Sequence, residues 1–350
     1  MKICVVGAGA IGGVLAFRLA AGGHDLSVLA RREHLAAILH NGLTLVDHTR
    51  AGETKSVRVA GDSDPLRLAQ LCGVQDVIFI ALKAHAIGPI LSRLAPLLGT
   101  HTTVIPAING VPWWYFYRNG GAHDGAIVRT LDPHGRMFAD LDCGRLLGCV
   151  VHAAAEVRAP GVVHHTGGRR FILGEIDRGL ANPRSERLRA IVAALNDGGL
   201  DAIASDDIRF DVWTKLIGNL SFNPVAALTA SLMDQICGNE ALLAIIRNML
   251  VEGTSVARRF GVAIEMTPDQ RIDLARQLGS AKISMHQDFE AHRTPEIDAI
   301  TGAVIELARW VQVDVPTVCM LDALVRARAR NLGLLGGEAA APGIAREAVR

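Results

Sequence analysis

Two textures of apolar residues divide the chain. In the first half, short apolar runs recur between helical patterns: Ile3–Val6, Leu26–Ala30, Val77–Leu82, Thr103–Ala107 and Ala126–Leu131. Runs of this length bounded by turn residues predict buried strands, and their alternation with helices predicts a parallel, doubly wound sheet. Leu43–Val46 and Val57–Ala60 read as a hairpin inserted among them. Gly148–Val157, Gly161–His165 and Arg170–Leu173 read as antiparallel strands joined by glycine turns, continuing the sheet on one edge. Near Asn182-Pro183 the period becomes helical. Ile297, Ile300, Val304, Leu307, Ala308 and Val311 recur at spacings of three and four, the buried face of one long helix. The expected fold class is α/β: an N-terminal Rossmann-type doubly wound sheet with an antiparallel extension, followed by an all-α C-terminal domain.

Composition adds limits to this picture. A chain of 350 residues, half of them hydrophobic, is long enough for two cored domains. Its formal charge of +1 gives no nucleic-acid or membrane-surface signal. The six cysteines are scattered without a C-x-x-C pair and read as reduced, buried apolar residues. Arg18 interrupts the N-terminal apolar stretch, which argues against a signal peptide, and no long uncharged apolar run predicts a membrane span. The expectation is a soluble, cytoplasmic protein. Its histidines, His164-His165 included, lack metal-ligand spacing, so no metal is expected.

The chain opens MKICVVGAGAIGG, a strand, a glycine turn and a helix in the order that holds a dinucleotide pyrophosphate. Gly7 permits the tight turn, Gly9 lets the backbone approach the phosphates, and Gly12 lets helix and strand pack. Ala10 and Ile11 open the helix, where N–H groups and the helix dipole favour negative charge. The second strand ends in Ala30 and Arg31, where an NAD site usually has an acid for the ribose 2′-OH. A guanidinium there suits a 2′-phosphate, so the expected cofactor is NADP(H). The plainer reading is that Arg31 and Arg32 begin a solvated helix. On this basis residues 1–183 are the expected NADP-binding domain and 184–332 the helical substrate and catalytic domain. The Gly- and Ala-rich stretch 333–350 is expected to be a mobile tail.

Candidate chemistry sits in four segments. Lys215, Asn219 and Asn223 fall at i, i+4 and i+8, on one face of a helix. Asparagine is a poor helix former, so two of them in an apolar helix suggest partners rather than a solvated stripe. Pro224 predicts a kink or an end at Asn223. The polar run Ser284–Asp298 precedes the long helix, and Thr294-Pro295-Glu296 by itself reads as a plain helix start. Lys83 and Asn109-Gly110 end two of the predicted strands, the side on which open parallel sheets bind ligands, although each also reads as an ordinary loop residue.

Together these segments resemble the ketopantoate reductase (2-dehydropantoate 2-reductase) family. The resemblance rests on the N-terminal GxGxxG, a strand-end lysine like Lys83, and Asn109-Gly110. It rests also on W-x-K-L-x-x-N…N-P over 213–224 and S-M-x-Q-D…R…E-I-D over 284–298, and it runs from Met1 to about Arg330. It implies NADPH-dependent reduction of ketopantoate to (R)-pantoate in pantothenate biosynthesis. It implies Lys215 as general acid and Glu296 as the carboxylate that positions the substrate hydroxyl and the lysine. Asn219, Asn223 and Ser284 become substrate ligands, with Ser284 near the carboxylate. Lys83 and Asn109 fall at the nicotinamide end, and Arg31 at the 2′-phosphate. The implied partner is a small 2-keto acid, with no nucleic acid and no membrane, and with a homodimer as the oligomer to consider. Pro295, His292, the absence of an asparagine between Pro224 and Asn239, and the aromatic run Trp113–Tyr117 depart from the family pattern and are expected to reshape the pocket. The alternatives are a reductase of another small 2-keto acid and a non-catalytic NADPH-binding sensor. A methyltransferase ranks lower, because it favours an acid where this chain has Arg31.

Overall fold

The structure, a computed structural model, describes residues 1–335. Its strands are β1 (Lys2–Val6), β2 (Asp25–Leu29), β3 (Leu43–Asp47), β4 (Glu53–Val57), β5 (Ala60–Asp62), β6 (Gln75–Ile80), β7 (Leu98–Pro106), β8 (Leu147–Ala159), β9 (Val162–Glu175) and β10 (Asp201–Ala204). The helices of the first half are α1 (Ala10–Ala21), α2 (Arg32–Asn41), α3 (Pro65–Cys72), α4 (Gly88–Leu91), α5 (Arg136–Asp140) and α6 (Glu186–Asp197). Those of the second are α7 (Ile208–Thr229), α8 (Met233–Cys237), α9 (Glu240–Arg259), α10 (Pro268–Arg276), α11 (Ser284–Glu290), α12 (Ala303–Trp310) and α13 (Pro316–Asn331).

Five strands form an all-parallel sheet in the order β5-β2-β1-β6-β7. Their residues are apolar on both faces because helices cover both, as parallel sheets require. The order reverses between β1 and β6, so the crevice at the carboxyl ends of those strands is the natural ligand position. The expected hairpin forms as β3–β4, with Leu43 opposite Val57. It lies in a second sheet, β10-β9-β3-β4 with β8 on the far side of β9, rather than among the parallel strands. The antiparallel extension is therefore a sheet of its own. It joins the first through parallel bridges of Val104 to Leu146 and Ala107 to Cys149.

Several local expectations change in the folded chain. The two short strands predicted at 161–173 are one strand, β9, and the glycines there fall at a register shift opposite β8. Ala126–Leu131 is not a strand. Its backbone donors go to a carboxylate: the N–H groups of Arg129 and Thr130 donate to Glu306 at 2.8 and 2.7 Å. Helix α7 runs through Pro224 to Thr229. Burial on nearly every side holds it helical against the proline, and Arg328 donates to the carbonyls of Ala227 and Leu228 near its end. The long helix predicted from Ile297 contains a π turn at Asp298–Gly302 before α12. The carbonyl of Ala299 in that turn accepts from Val111 N–H at 2.8 Å, which a regular helix would have kept to itself.

One core fills the space between α1, α6 and the two sheets. The other covers the opposite face of the parallel sheet and continues into the helical half. The run Trp113–Phe116 belongs to this second core rather than to a pocket wall for most of its length, each residue at most 2% exposed. Tyr115 Oη accepts from Trp213 Nε1 at 2.7 Å, while Arg209 donates to the carbonyls of Tyr115 and Tyr117 at 2.7 and 2.8 Å. Helix α6 and β10 lie beyond Asn182-Pro183 and still pack with the second sheet. Leu334 is buried against the helical core, and residues 336–350 of the expected tail lie outside the described residues.

Candidate functional site

The glycine turn behaves as its spacing requires. Gly7 has φ +92°, and a Cβ on Gly12 would stand 1.8 Å from the Gly7 carbonyl oxygen, so the turn closes only with hydrogen at Gly12. A Cβ on Gly9 would meet nothing within 4 Å, so the space over it is open. Gly9 caps α1 without a side-chain hydrogen bond, which leaves the N–H groups of Ala10 and Ile11 facing outward. His34 ties this turn to the second sheet: Nε2 contacts the Ala8 carbonyl at 2.7 Å, and Nδ1 accepts from Gly161 N–H at 3.1 Å. The side chain of Arg31, exposed just past β2, makes no hydrogen bond or ion pair among the described residues. The residues present therefore fit a dinucleotide.

Across the crevice, the two halves meet at Asn109. Its Oδ1 accepts from Lys215 Nζ at 2.7 Å, and its Nδ2 donates to Glu296 Oε2 at 3.2 Å. The turn that presents it is tight. Gly110 has φ +84°, and a Cβ there would come within 2.2 Å of the Ala299 carbonyl in the π turn. Lys215 projects from α7 and also donates to the Val151 carbonyl of β8. Burial pushes its pKa down to about 8, against a smaller upward pull from Cys149 and Glu296. No carboxylate touches it directly among the described residues; Glu296 reaches it through Asn109.

Glu296, 6% exposed, stands immediately before the π-turn helix. Its carboxylate does not cap that helix. Instead Oε1 accepts from Ala84 N–H at 3.0 Å and Oε2 lies 3.5 Å from Lys83 Nζ. Lys83 is bound more closely by Asp288 of α11, at 2.5 Å, and Arg293 reaches the same carboxylate at 3.3 Å. Thus Lys83, Asn109, Lys215 and Glu296 form one network drawn from both halves of the chain.

The remaining candidates line α7 and α11. Asn219 is half-buried and Asn223 is buried, and the Nδ2 of Asn223 has no partner. Ser284 opens α11, half-buried, its hydroxyl without a partner among the described residues. Helix α11 packs on α7 through Met285 and Phe289, which brings Ser284 to the same region. A buried amide without a partner costs roughly 1–3 kcal/mol, a cost expected where a ligand completes the bond. Three further participants carried no assignment from the sequence. Asp288 was visible only as part of a polar run. The Val151 carbonyl and Arg271, which lies against α7, left no sequence signal, because each is brought in by tertiary packing.

Comparison with known proteins gives the family of the chain. The family model for ketopantoate reductase PanE/ApbA matches residues 3–178, and its C-terminal counterpart matches residues 207–329. A 2-dehydropantoate 2-reductase of Mesorhizobium japonicum is 43% identical over 95% of this chain and 99% of its own. The structure of a candidate ketopantoate reductase from Ralstonia solanacearum MolK2 superposes with TM-score 0.88 at 39% identity, covering 95% of this chain and 99% of that one. A D-mandelate dehydrogenase solved with NADH and anilino(oxo)acetate shares the fold, with TM-score 0.80 at 20% identity over 96% of this chain and all of that one. With both halves matched by its models and a relative this similar over nearly its whole length, the chain belongs to the ketopantoate reductase family of oxidoreductases.

Proposed function

We propose that the protein reduces 2-dehydropantoate to (R)-pantoate with NADPH, a step of pantothenate biosynthesis. The observation that carries the reading is the half-buried Lys215 ammonium, held by an amide and a carbonyl rather than by a carboxylate, at the crevice between the two halves. The substrate comes from the similarity to the Mesorhizobium enzyme of that name.

The glycine turn at Gly7, Gly9 and Gly12, with Ala10 and Ile11, would hold the pyrophosphate, and Arg31 the 2′-phosphate. The exposed, unpaired guanidinium of Arg31 supports NADPH over NADH. When bound, the reduced nicotinamide supplies the hydride that the ketone carbon accepts.

Every other part belongs to the chain. Lys215 donates a hydrogen bond to the ketone oxygen and gives it a proton as negative charge develops there. Asn109 holds Nζ in place. Glu296, reaching the lysine through Asn109, favours its charged form against the desolvation that disfavours it. Asn219, Asn223 and Ser284 have unsatisfied polar atoms available to the substrate's hydroxyl and carboxylate. Lys83, tied to Asp288 and Glu296, fixes the nicotinamide end. The crevice between the halves excludes water around the reacting atoms.

A panel of ketopantoate, 2-ketoisovalerate and other small 2-keto acids, each with NADPH and NADH, tests the assignment. Ketopantoate with NADPH should give the highest kcat/KM and (R)-pantoate as product. A higher kcat/KM for another keto acid would replace the substrate, and NADPH binding without turnover of any would make the protein a sensor.

A further inference from the structure

Among the described residues, other arginines drawn at least partly out of water are neutralised or hydrogen-bonded. Arg18 is paired with Asp47, Arg209 donates to two carbonyls, and Arg326 is held between Asp298 and Asp322. Arg271 of α10 is different. Its guanidinium has no ion pair and no hydrogen bond among the described residues, and burial alone pulls its pKa down, with no carboxylate opposing it.

Its position is defined by α7. A Cβ on Gly218 would stand 2.1 Å from Arg271 Nη2, 2.9 Å from Cζ and 3.0 Å from Nε. The guanidinium therefore sits against the bare backbone of Gly218, Nη2 nearest. Gly218 is three residues from Lys215, one turn along the helix and on a neighbouring face, where side chains stand about 5–6 Å apart. His152 of β8, next to the Val151 carbonyl that Lys215 grips, feels both cations, and its imidazole is pushed down to about 4 by burial and by Lys215, Arg271 and Arg170. A neutral His152 adds no charge of its own. Both cations thus act on His152, and the Arg271 guanidinium is given no carboxylate partner among the described residues.

A 2-keto acid carries its carboxylate on the carbon next to the ketone. With the ketone oxygen on Lys215, the carboxylate has to find a partner within about one helical turn. We propose that Arg271, seated on Gly218, is the cation that receives the substrate carboxylate and sets the preference for 2-keto acids over uncharged ketones. This rests on the proposed reduction at Lys215. Ser284 then supplies a hydroxyl beside a charge that Arg271 neutralises. A planar guanidinium fits a carboxylate through two parallel hydrogen bonds, and a charged hydrogen bond of this kind contributes roughly 1.5–3 kcal/mol.

The test compares wild type, R271M and R271K by steady-state kinetics with ketopantoate and with its uncharged lactone, and by calorimetric binding of oxamate in the presence of NADP. In R271M, KM for ketopantoate and Kd for oxamate should rise on the order of 10–100-fold with a much smaller change in kcat. The preference for ketopantoate over the lactone should shrink by a similar factor, and R271K should recover part of it. Ketopantoate turnover with KM and preference unchanged in R271M would overturn the role of Arg271 and leave the function standing. Failure of the wild type to reduce ketopantoate would overturn the function. Oxamate would still decide the site in that case: binding weakened in R271M supports it, and equal binding, or none by the wild type, overturns it.

Discussion

Two cations show how differently this chain treats charge. Arg18 on α1 is buried at the junction of helix and hairpin, and Lys215 on α7 is half-buried at the crevice. Arg18 meets a carboxylate, Asp47, with Arg50 and His165 at its edge. Burial pushes the Asp47 carboxyl up, but hydrogen bonds from Thr49 and the Arg18 charge outweigh it and hold it below the usual carboxylate range. Lys215 meets only neutral oxygen atoms, and desolvation lowers its pKa. On the proposed function, the second cation is left without a carboxylate for a charge that arrives with the reaction.

Removing Lys215, and separately the carboxylate that neutralises Arg18, should separate the two roles. Lys215→Ala is expected to lower kcat by on the order of 10²–10⁴, the range of a general acid, in saturating ketopantoate and NADPH. Near-normal turnover would make Lys215 a structural residue. Asp47→Ala should act on the other region. Breaking a buried pair costs roughly 3–5 kcal/mol of stability, read by denaturant melts, and the surviving folded enzyme should keep its kcat. Because the folded pKa of Asp47 is depressed, that stability is present above the unfolded value of about 3.9 and is lost as pH falls through the lower folded value. A loss of kcat without loss of stability would erase the distinction between the regions. Arg31→Ala should be the smallest change in this series. We expect kcat/KM for NADPH to fall about 10–100-fold and that for NADH to change little; equal losses with both would remove the 2′-phosphate role.

The same two regions differ in how legible they were. The glycine turn is local: strand, turn and helix occupy consecutive residues, so spacing alone carries the geometry. Lys215, Asn219 and Asn223 were legible for a related reason, since helical periodicity puts them on one face. The link from Lys215 through Asn109 to Glu296 joins residues far apart in sequence, and only tertiary packing makes it. Arg271 gave no sign either, because an arginine in a short amphipathic helix reads as solvated until Gly218 is seen beneath it. Failures of local reading have the same origin. Pro224 stays inside α7 because the surrounding core outweighs its preference. Ala126–Leu131 looked like a strand because Val128 and its neighbours are apolar, yet Glu306 satisfies its backbone instead of a sheet. The helix after Glu296 carries a π turn because Val111 needs the Ala299 carbonyl.

The central claim is that catalysis uses the unneutralised Lys215 ammonium. Its most direct test is the pH dependence of kcat/KM for ketopantoate with NADPH, since the acid must be protonated in the free enzyme and the Lys215 pKa is pushed down to about 8. The account predicts a plateau near neutral pH and a fall of about tenfold per pH unit above pH about 8, as the ammonium is lost. A profile that stays flat well past that value would contradict it.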